Sequence, residues 1–236
     1  MHDSLFIVMP AYNEEQNIEA VAKSWYALLD GKDKSSRLVI ADSGSTDGTH
    51  DILQGLREKL PQLEILSDTG KPHGPKVIAL YEHAIREGAD FVFQTDSDGQ
   101  TNPAEFDAFW QKRNEHLAVL GWRNKRGDGK SRAFVGSVVR LLLRCIFGVK
   151  VPDANAPFRL MRASLVAKYL DRLPKDYSIP NIMLTAYFAY YKEDVVFEKV
   201  SFKPRQGGVN SLNFPKIVKI GLRAIADFRR FKKEMA

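Results

Sequence analysis

The chain begins with an apolar run, Leu5–Met9, ended by Pro10, and then changes rhythm. Ile18, Val21, Ala22, Trp25, Leu28 and Leu29 recur at the three-and-four spacing of one helix face. Asn13, with Gln16 three places on, reads as the cap of that helix. The alternation then repeats. Leu38–Ala41 is a second strand, and Ile52, Leu53, Leu56 and Leu60 mark a helix stopped before Pro61. Glu64–Leu66 is a short strand, and Val77, Leu80, Tyr81, Ala84 and Ile85 line a third helix. Phe91–Phe93, bounded by Gly88 and Gly99, reads as a buried strand. Asn102, Pro103 and Glu105 carry a side-chain cap, a Pro at N1 and a Glu at N3, which predicts another helix. Leu117–Leu120 is the next strand. Strands alternating with helices require crossover connections, so the expected fold is α/β: a mixed, mainly parallel sheet flanked by helices.

After Gly121 the pattern shifts. Phe134, Val138, Leu141, Leu142, Cys145 and Ile146 are apolar at helical spacing, with Arg140 and Arg144 on the other side. Phe158–Met161 fits a strand, Asn181–Tyr191 a buried aromatic helix, and Val195–Phe202 a strand. Pro204–Asn213 is a loop with Gly207 and Gly208. In the last helix Ile217, Gly221, Ala224, Phe228 and Phe231 face one way, and Lys216, Lys219, Arg223 and Arg230 the other. With no repeat or linker, the chain reads as one domain over 1–213 carrying a basic amphipathic helix over 214–236.

Polar residues gather where strands run out: Pro10–Glu14, Asp42–Gly48, Lys71–Lys76, Asp96–Gln100 and Arg123–Arg132. Neighbouring strand ends of a parallel sheet converge, and ligands of open α/β sheets bind there. In Asp96–Gln100 the carboxylates Asp96 and Asp98 are two apart, so on an extended chain they point the same way, and Gln100 continues that face. Two carboxylates and an amide oxygen suit Mg²⁺ or Mn²⁺ with positions left for phosphates. Taken alone, the cluster reads equally well as a turn. Two other phosphate signatures fail. No G-x-G-x-x-G follows the first strand. Gly129-Lys130-Ser131 imitates a P-loop, but Asn124 stands where its upstream glycine belongs.

Charge sharpens the picture. The net charge of +6 is placed unevenly: residues 199–236 carry 10 Lys/Arg against 2 Asp/Glu, while residues 1–198 carry 25 against 27. A second basic block runs from Arg123 to Lys150 with Asp128 as its only acid. Such blocks beside a near-neutral body point to an anionic substrate or membrane surface, and no nucleic-acid partner is expected. No apolar run approaches membrane-spanning length. The single Cys145 excludes an internal disulfide and reads as a small core residue.

PAYNE at Pro10–Glu14, DSGSTDGT at Asp42–Thr49 and TDSDGQ at Thr95–Gln100 resemble the inverting GT-A glycosyltransferases of family 2. The similarity is nearest to the branch that includes dolichol-phosphate mannose synthase and bacterial polyprenyl-phosphate sugar transferases. It covers residues 4–165 well and returns in the R-x-x-G-x-x-S loop at Arg205–Ser211. The resemblance implies a GT-A fold and an enzyme that moves a hexose from a GDP- or UDP-sugar. Pro10, Tyr12 and Glu14 would frame base and ribose, with Ile40 and Asp42 holding the base. Asp96 and Ser97 would lie beside ribose and diphosphate, and Asp96, Asp98 and Gln100 would hold Mn²⁺ or Mg²⁺. Arg123, and Arg132 as a second candidate, would face the phosphates. Arg205 and Ser211 would belong to a lid.

The implied acceptor is a polyprenyl phosphate, dolichyl or undecaprenyl. It is already ionised, so no general base is needed. A sugar hydroxyl acceptor in glycan extension would need one, and Asp153 is the candidate. A third reading is a non-catalytic nucleotide-sugar or membrane-binding module, which the intact Asp96, Asp98 and Gln100 disfavour. The two basic amphipathic segments suggest a peripheral protein at the cytoplasmic face of an anionic membrane, with a membrane-anchoring partner in prospect.

Overall fold

The computed structural model describes residues 3–123, 130–204 and 214–235; the side chains at 130–132, 214–220 and 222 are outside that description. The strands are β1 (Leu5–Ala11), β2 (Arg37–Asp42), β3 (Leu63–Leu66), β4 (Phe91–Thr95), β5 (Ala118–Arg123), β6 (Phe158–Arg162) and β7 (Val195–Val200). They form one sheet in the order β3-β2-β1-β4-β6-β5-β7. All neighbours pair parallel except β6, which runs antiparallel to both β4 and β5. The expected mixed, mainly parallel sheet is therefore observed.

The helices are α1 (Ile18–Tyr26), α2 (Thr49–Arg57), α3 (His73–Arg86), α4 (Phe106–Gln111), α5 (Lys130–Phe147), α6 (Ala163–Leu170), α7 (Pro180–Tyr190) and α8 (Phe214–Met235). Strand alternation sorts the core into two layers. Leu5, Ile7 and Met9 of β1 pack with Ile18, Trp25, Leu53 and Phe106 from α1, α2 and α4. Phe6 and Val8 belong to the opposite layer, with side chains of α3 and α5–α8. Both faces of β1 are buried, as a parallel strand between helix layers requires.

Four expectations change. β1 does not stop at Pro10: its missing N–H is tolerated and the strand runs to Ala11, opposite Asp42. Asn13 is not the cap of α1, which begins at Ile18 after Asn17. Cys145 is exposed, not in the core. The predicted apolar stripe of the fifth helix also splits. Leu143 and Phe147 are buried, whereas Phe134 and Leu141 are 68% and 59% exposed. The helix packs through its 143/147 edge because Phe147 meets Phe228 of α8, ring centroids 5.7 Å apart. In α8 the reverse holds. Ala224, Phe228, Phe231 and Met235 are all buried in the main core, so residues 223–235 fold with the domain. Helix α7 is buried nearly all round, as its mostly apolar sequence predicts, with Asn181 and Thr185 as buried polar exceptions.

Candidate active site

The parallel register puts the ends of β1 and β2 side by side, and the loops that follow are stitched together. Asn13 sits in the left-handed region at φ 54°, which Asn tolerates better than most residues. Its Oδ1 accepts from the Thr46 N–H at 2.8 Å and its Nδ2 donates to Thr46 Oγ1 at 3.2 Å. The Glu14 N–H donates to Thr49 Oγ1 at 2.8 Å, and the Gly48 N–H to Glu15 Oε2 at 2.9 Å. The Asp47 carboxyl lies below its ordinary range: burial pushes it up, but hydrogen bonds from the Thr49 hydroxyl and nearby backbone amides prevail.

Asp42 is 2% exposed. Its carboxylate accepts from the Ser45 hydroxyl and faces His50 Nδ1 at 3.2 Å. Beside it Lys76, 1% exposed, donates to the Ala11 carbonyl and lies 5.3 Å from the centre of the Tyr12 ring. Burial pushes the Lys76 ammonium down to about 8, against the pull of Asp42. Tyr12 itself is exposed. Glu14 is buried and accepts from Asn17 Nδ2 at 3.4 Å. Ile40 has no exposed surface and belongs to the core.

Strand β4 delivers the acidic residues. Gly99 takes φ 69°, turning the chain after Asp98. The Ser97 hydroxyl donates to the Pro10 carbonyl at 2.9 Å, tying this turn to β1. Asp96 Oδ1 accepts from Gln94 Nε2 at 3.1 Å, and Asp98 Oδ1 accepts from the Gln100 N–H at 3.2 Å. Gln100 is anchored twice to Lys203: its Nε2 donates to the Lys203 carbonyl at 2.8 Å, and its carbonyl accepts from the Lys203 N–H at 2.9 Å. Its side-chain Oε1 is buried with no hydrogen-bond partner among the described residues. Two carboxylates and one unsatisfied amide oxygen are the donor set of a hard divalent cation. Among the described residues no three His, Cys, Asp or Glu side chains cluster to enclose an ion. Substrate oxygens would have to complete its shell.

The reversed strand β6 completes the edge. Because Thr95 pairs with Phe158, the loop entering β6 reaches the same rim as the end of β4. Asp153 on that loop meets Arg123 at the end of β5, Oδ2 to Nε at 2.8 Å and Oδ1 to Nη2 at 3.0 Å. Both side chains are below 10% exposed. The guanidinium also lies over the Phe202 ring at 5.1 Å. Arg132, Arg205 and Ser211 lie outside the described side chains.

Sequence reasoning counted Lys71–Lys76 among the strand-end clusters but gave Lys76 no role, and it missed Gln94, Arg159 and Asn181. Arg159 is 1% exposed and donates to Thr185 Oγ1 at 3.0 Å. The available signal was a polar residue inside an apolar run, as with Gln94 after Phe91–Phe93.

A family model described as glycosyl transferase family 2 matches residues 6–183. Curated relatives named undecaprenyl-phosphate 4-deoxy-4-formamido-L-arabinose transferase include one from Pseudomonas syringae, 25% identical over 81% of this chain and 56% of its own length. Another, from Shewanella sediminis, is 24% identical over 92% of this chain and 64% of its own. The chain thus spans a little over half the length of the curated relatives it matches. Among solved structures, glucosyl-3-phosphoglycerate synthase from Mycobacterium tuberculosis, in complex with Mn²⁺, UDP and phosphoglyceric acid, has a TM-score of 0.70 at 17% identity. That match covers 98% of this chain and 78% of the other. TarS of S. aureus has a TM-score of 0.60 at 20% identity, covering 97% and 68%.

Proposed function

The chain belongs to glycosyl transferase family 2, and from that premise we propose that it carries a sugar from a nucleotide donor to a polyprenyl phosphate at an anionic membrane surface. The observation that carries this reading is the turn after β4. Asp96 and Asp98 stand at one rim with Gln100 Oε1 buried and without a hydrogen-bond partner among the described residues, and Ser97 ties the turn to β1.

The donor's base fits against the exposed Tyr12 ring, with Lys76 and Asp42 beneath it. Bound UDP in a structural neighbour supports a uridine or similar diphosphate. Asp96, Asp98 and Gln100 would hold Mn²⁺ or Mg²⁺, which supplies Lewis-acid neutralisation of the departing diphosphate. Arg123 is preorganised for an anion by its pairing with Asp153. The same pairing disfavours Asp153 as a general base, since both its oxygens accept from one guanidinium. That supports an acceptor that arrives ionised, as a lipid phosphate does, over a sugar hydroxyl. Arg132, Arg205 and Ser211 keep their roles at the phosphates and lid by resemblance. The names of the curated relatives support the lipid acceptor.

No helix among the described residues is long and apolar enough to cross a membrane. Membrane contact, at the cytoplasmic face in this reading, falls to α5. Phe134, Val138 and Leu141 make an exposed apolar stripe beside the exposed Arg140 and Arg144. Helix α8 contributes the exposed Arg223 and Arg230, with its described apolar residues Ala224, Phe228 and Phe231 already buried. A membrane-anchoring partner protein remains part of the proposal. The test is sugar transfer with Mn²⁺, a panel of UDP- and GDP-sugars, and undecaprenyl phosphate in anionic vesicles. Product on the lipid phosphate is expected. Transfer only to a soluble glycan would overturn the acceptor, and donor binding without any turnover would overturn the enzyme.

A further inference from the structure

Asp96 does not stand alone. The Tyr81 hydroxyl of α3 donates to Asn181 Oδ1 at 2.8 Å. Asn181 Nδ2, in the first turn of α7, donates to Gln94 Oε1 at 2.9 Å. Gln94 Nε2, inside β4, donates to Asp96 Oδ1 at 3.1 Å. Three hydrogen bonds thus run head to tail from two helices, through the sheet, to a carboxylate at the rim. Every donor points towards that carboxylate, so each bond polarises the next in the same sense.

We propose that Asn181 is a positioning residue for the metal site: through Gln94 it fixes one oxygen of Asp96, leaving the other to a divalent ion. The inference rests on the metal reading above but adds three residues that the motifs do not contain.

The relay's polarity cannot reverse. Tyr81 has no exposed surface, and burial pushes its phenol well above the ordinary range, so it keeps its proton. A carboxylate only accepts, so Gln94 turns its nitrogen to Asp96 and its oxygen to Asn181, whose own oxygen then faces the Tyr81 hydroxyl. Asn181 is also held through its backbone, because its carbonyl accepts from Thr185 Oγ1 at 2.8 Å. The lead-in to α7 is seated equally closely. A Cβ on Gly74 would stand 2.2 Å from the Tyr177 carbonyl, so α3 and the segment before Asn181 meet backbone to side-chainless backbone. Three polar side chains from separate elements, each below 5% exposed, run in series to one carboxylate, which Gln94 alone touches. Outer partners of this kind orient metal ligands and typically matter 10–100-fold in metal affinity.

The experiment is a Mn²⁺ titration followed by electron paramagnetic resonance, with UDP present, on the full chain and its variants. Asn181→Leu removes both hydrogen bonds of the amide while keeping the same number of side-chain heavy atoms, and is expected to weaken Mn²⁺ binding about 10–100-fold, with UDP affinity in EDTA unchanged. Tyr81→Phe removes only the far hydroxyl and should weaken Mn²⁺ about threefold. Leu184→Ala, on the same helix with no polar contact, should lower Tm and leave Mn²⁺ affinity alone. Wild-type affinity in folded Asn181→Leu would overturn the relay while sparing the metal reading. No Mn²⁺ binding by the wild type would overturn both. Should Asn181→Leu fail to fold, Tyr81→Phe decides: unchanged Mn²⁺ affinity there also overturns the relay.

Discussion

The two halves of the proposed site are held by different means. On the β1–β2 side, adjacent loops hold each other. Asn13, Glu14 and Glu15 reach Thr46, Thr49 and Gly48 across parallel strand ends, through hydrogen bonds that are exposed at Asn13 and Glu15 and buried at Glu14. On the β4–β5–β6 side, functional groups are held by partners from other parts of the chain, some buried and, at Lys203, exposed. Asp96 is held through Gln94 and Asn181, Gln100 by Lys203, and Arg123 by Asp153. In the proposed reading the first half would recognise a neutral base and tolerate adjustment. The second would face the diphosphate, where charge develops, and need fixed dipoles. Rigidity is concentrated where charge must be stabilised.

That contrast can be broken from either side, and the pinned half should respond most. Asp98→Ala should reduce metal-dependent transfer on the order of 10³-fold with Tm unchanged, since several kcal/mol of charge stabilisation is at stake. Steady-state assays with Mn²⁺ beside a thermal melt check this. Asp153→Ala leaves the Arg123 guanidinium buried without its partner and should cost about 3–5 kcal/mol in urea unfolding. A loss below 1 kcal/mol would make that pair as loosely held as the stitched half.

In the β1–β2 half, Lys76 offers a pH test. Its folded value of about 8 lies below the ordinary 10.5, so between those limits the folded chain holds fewer protons than the unfolded one. Stability from this group therefore rises with pH across that window. Wild type should gain on Lys76→Met between pH 7.5 and 10, by up to about 3 kcal/mol, read from denaturation at each pH. The smallest effect is expected at the stitch. Asn13→Ala should cost about 1 kcal/mol, and Asn13→Gly less, because Gly adopts positive φ freely.

The same contrast explains what the sequence disclosed. The α/β order, the strand ends and the three motif loops were legible, because their residues are contiguous and their periods plain. Strand β6 was seen as a strand but not as a reversed one, and only reversal brings Asp153 to Arg123. The pinning residues were invisible as such: Asn181 and Gln94 are 87 positions apart, and nothing local marks them as partners. Helices α5 and α8 read alike as basic and amphipathic, yet α8 buries Phe228 and α5 exposes Phe134. Which apolar stripe is covered depends on tertiary packing, so period alone could not separate them, and Cys145 was misread for the same reason.

The central claim is that the turn after β4 receives a divalent ion together with a nucleotide diphosphate. Crystals grown with Mn²⁺ and UDP, measured at the manganese absorption edge, test it directly. The account predicts an anomalous peak in coordination contact with carboxylate oxygens of Asp96 and Asp98 and with the diphosphate. A UDP bound in the site with no manganese beside those residues would contradict it.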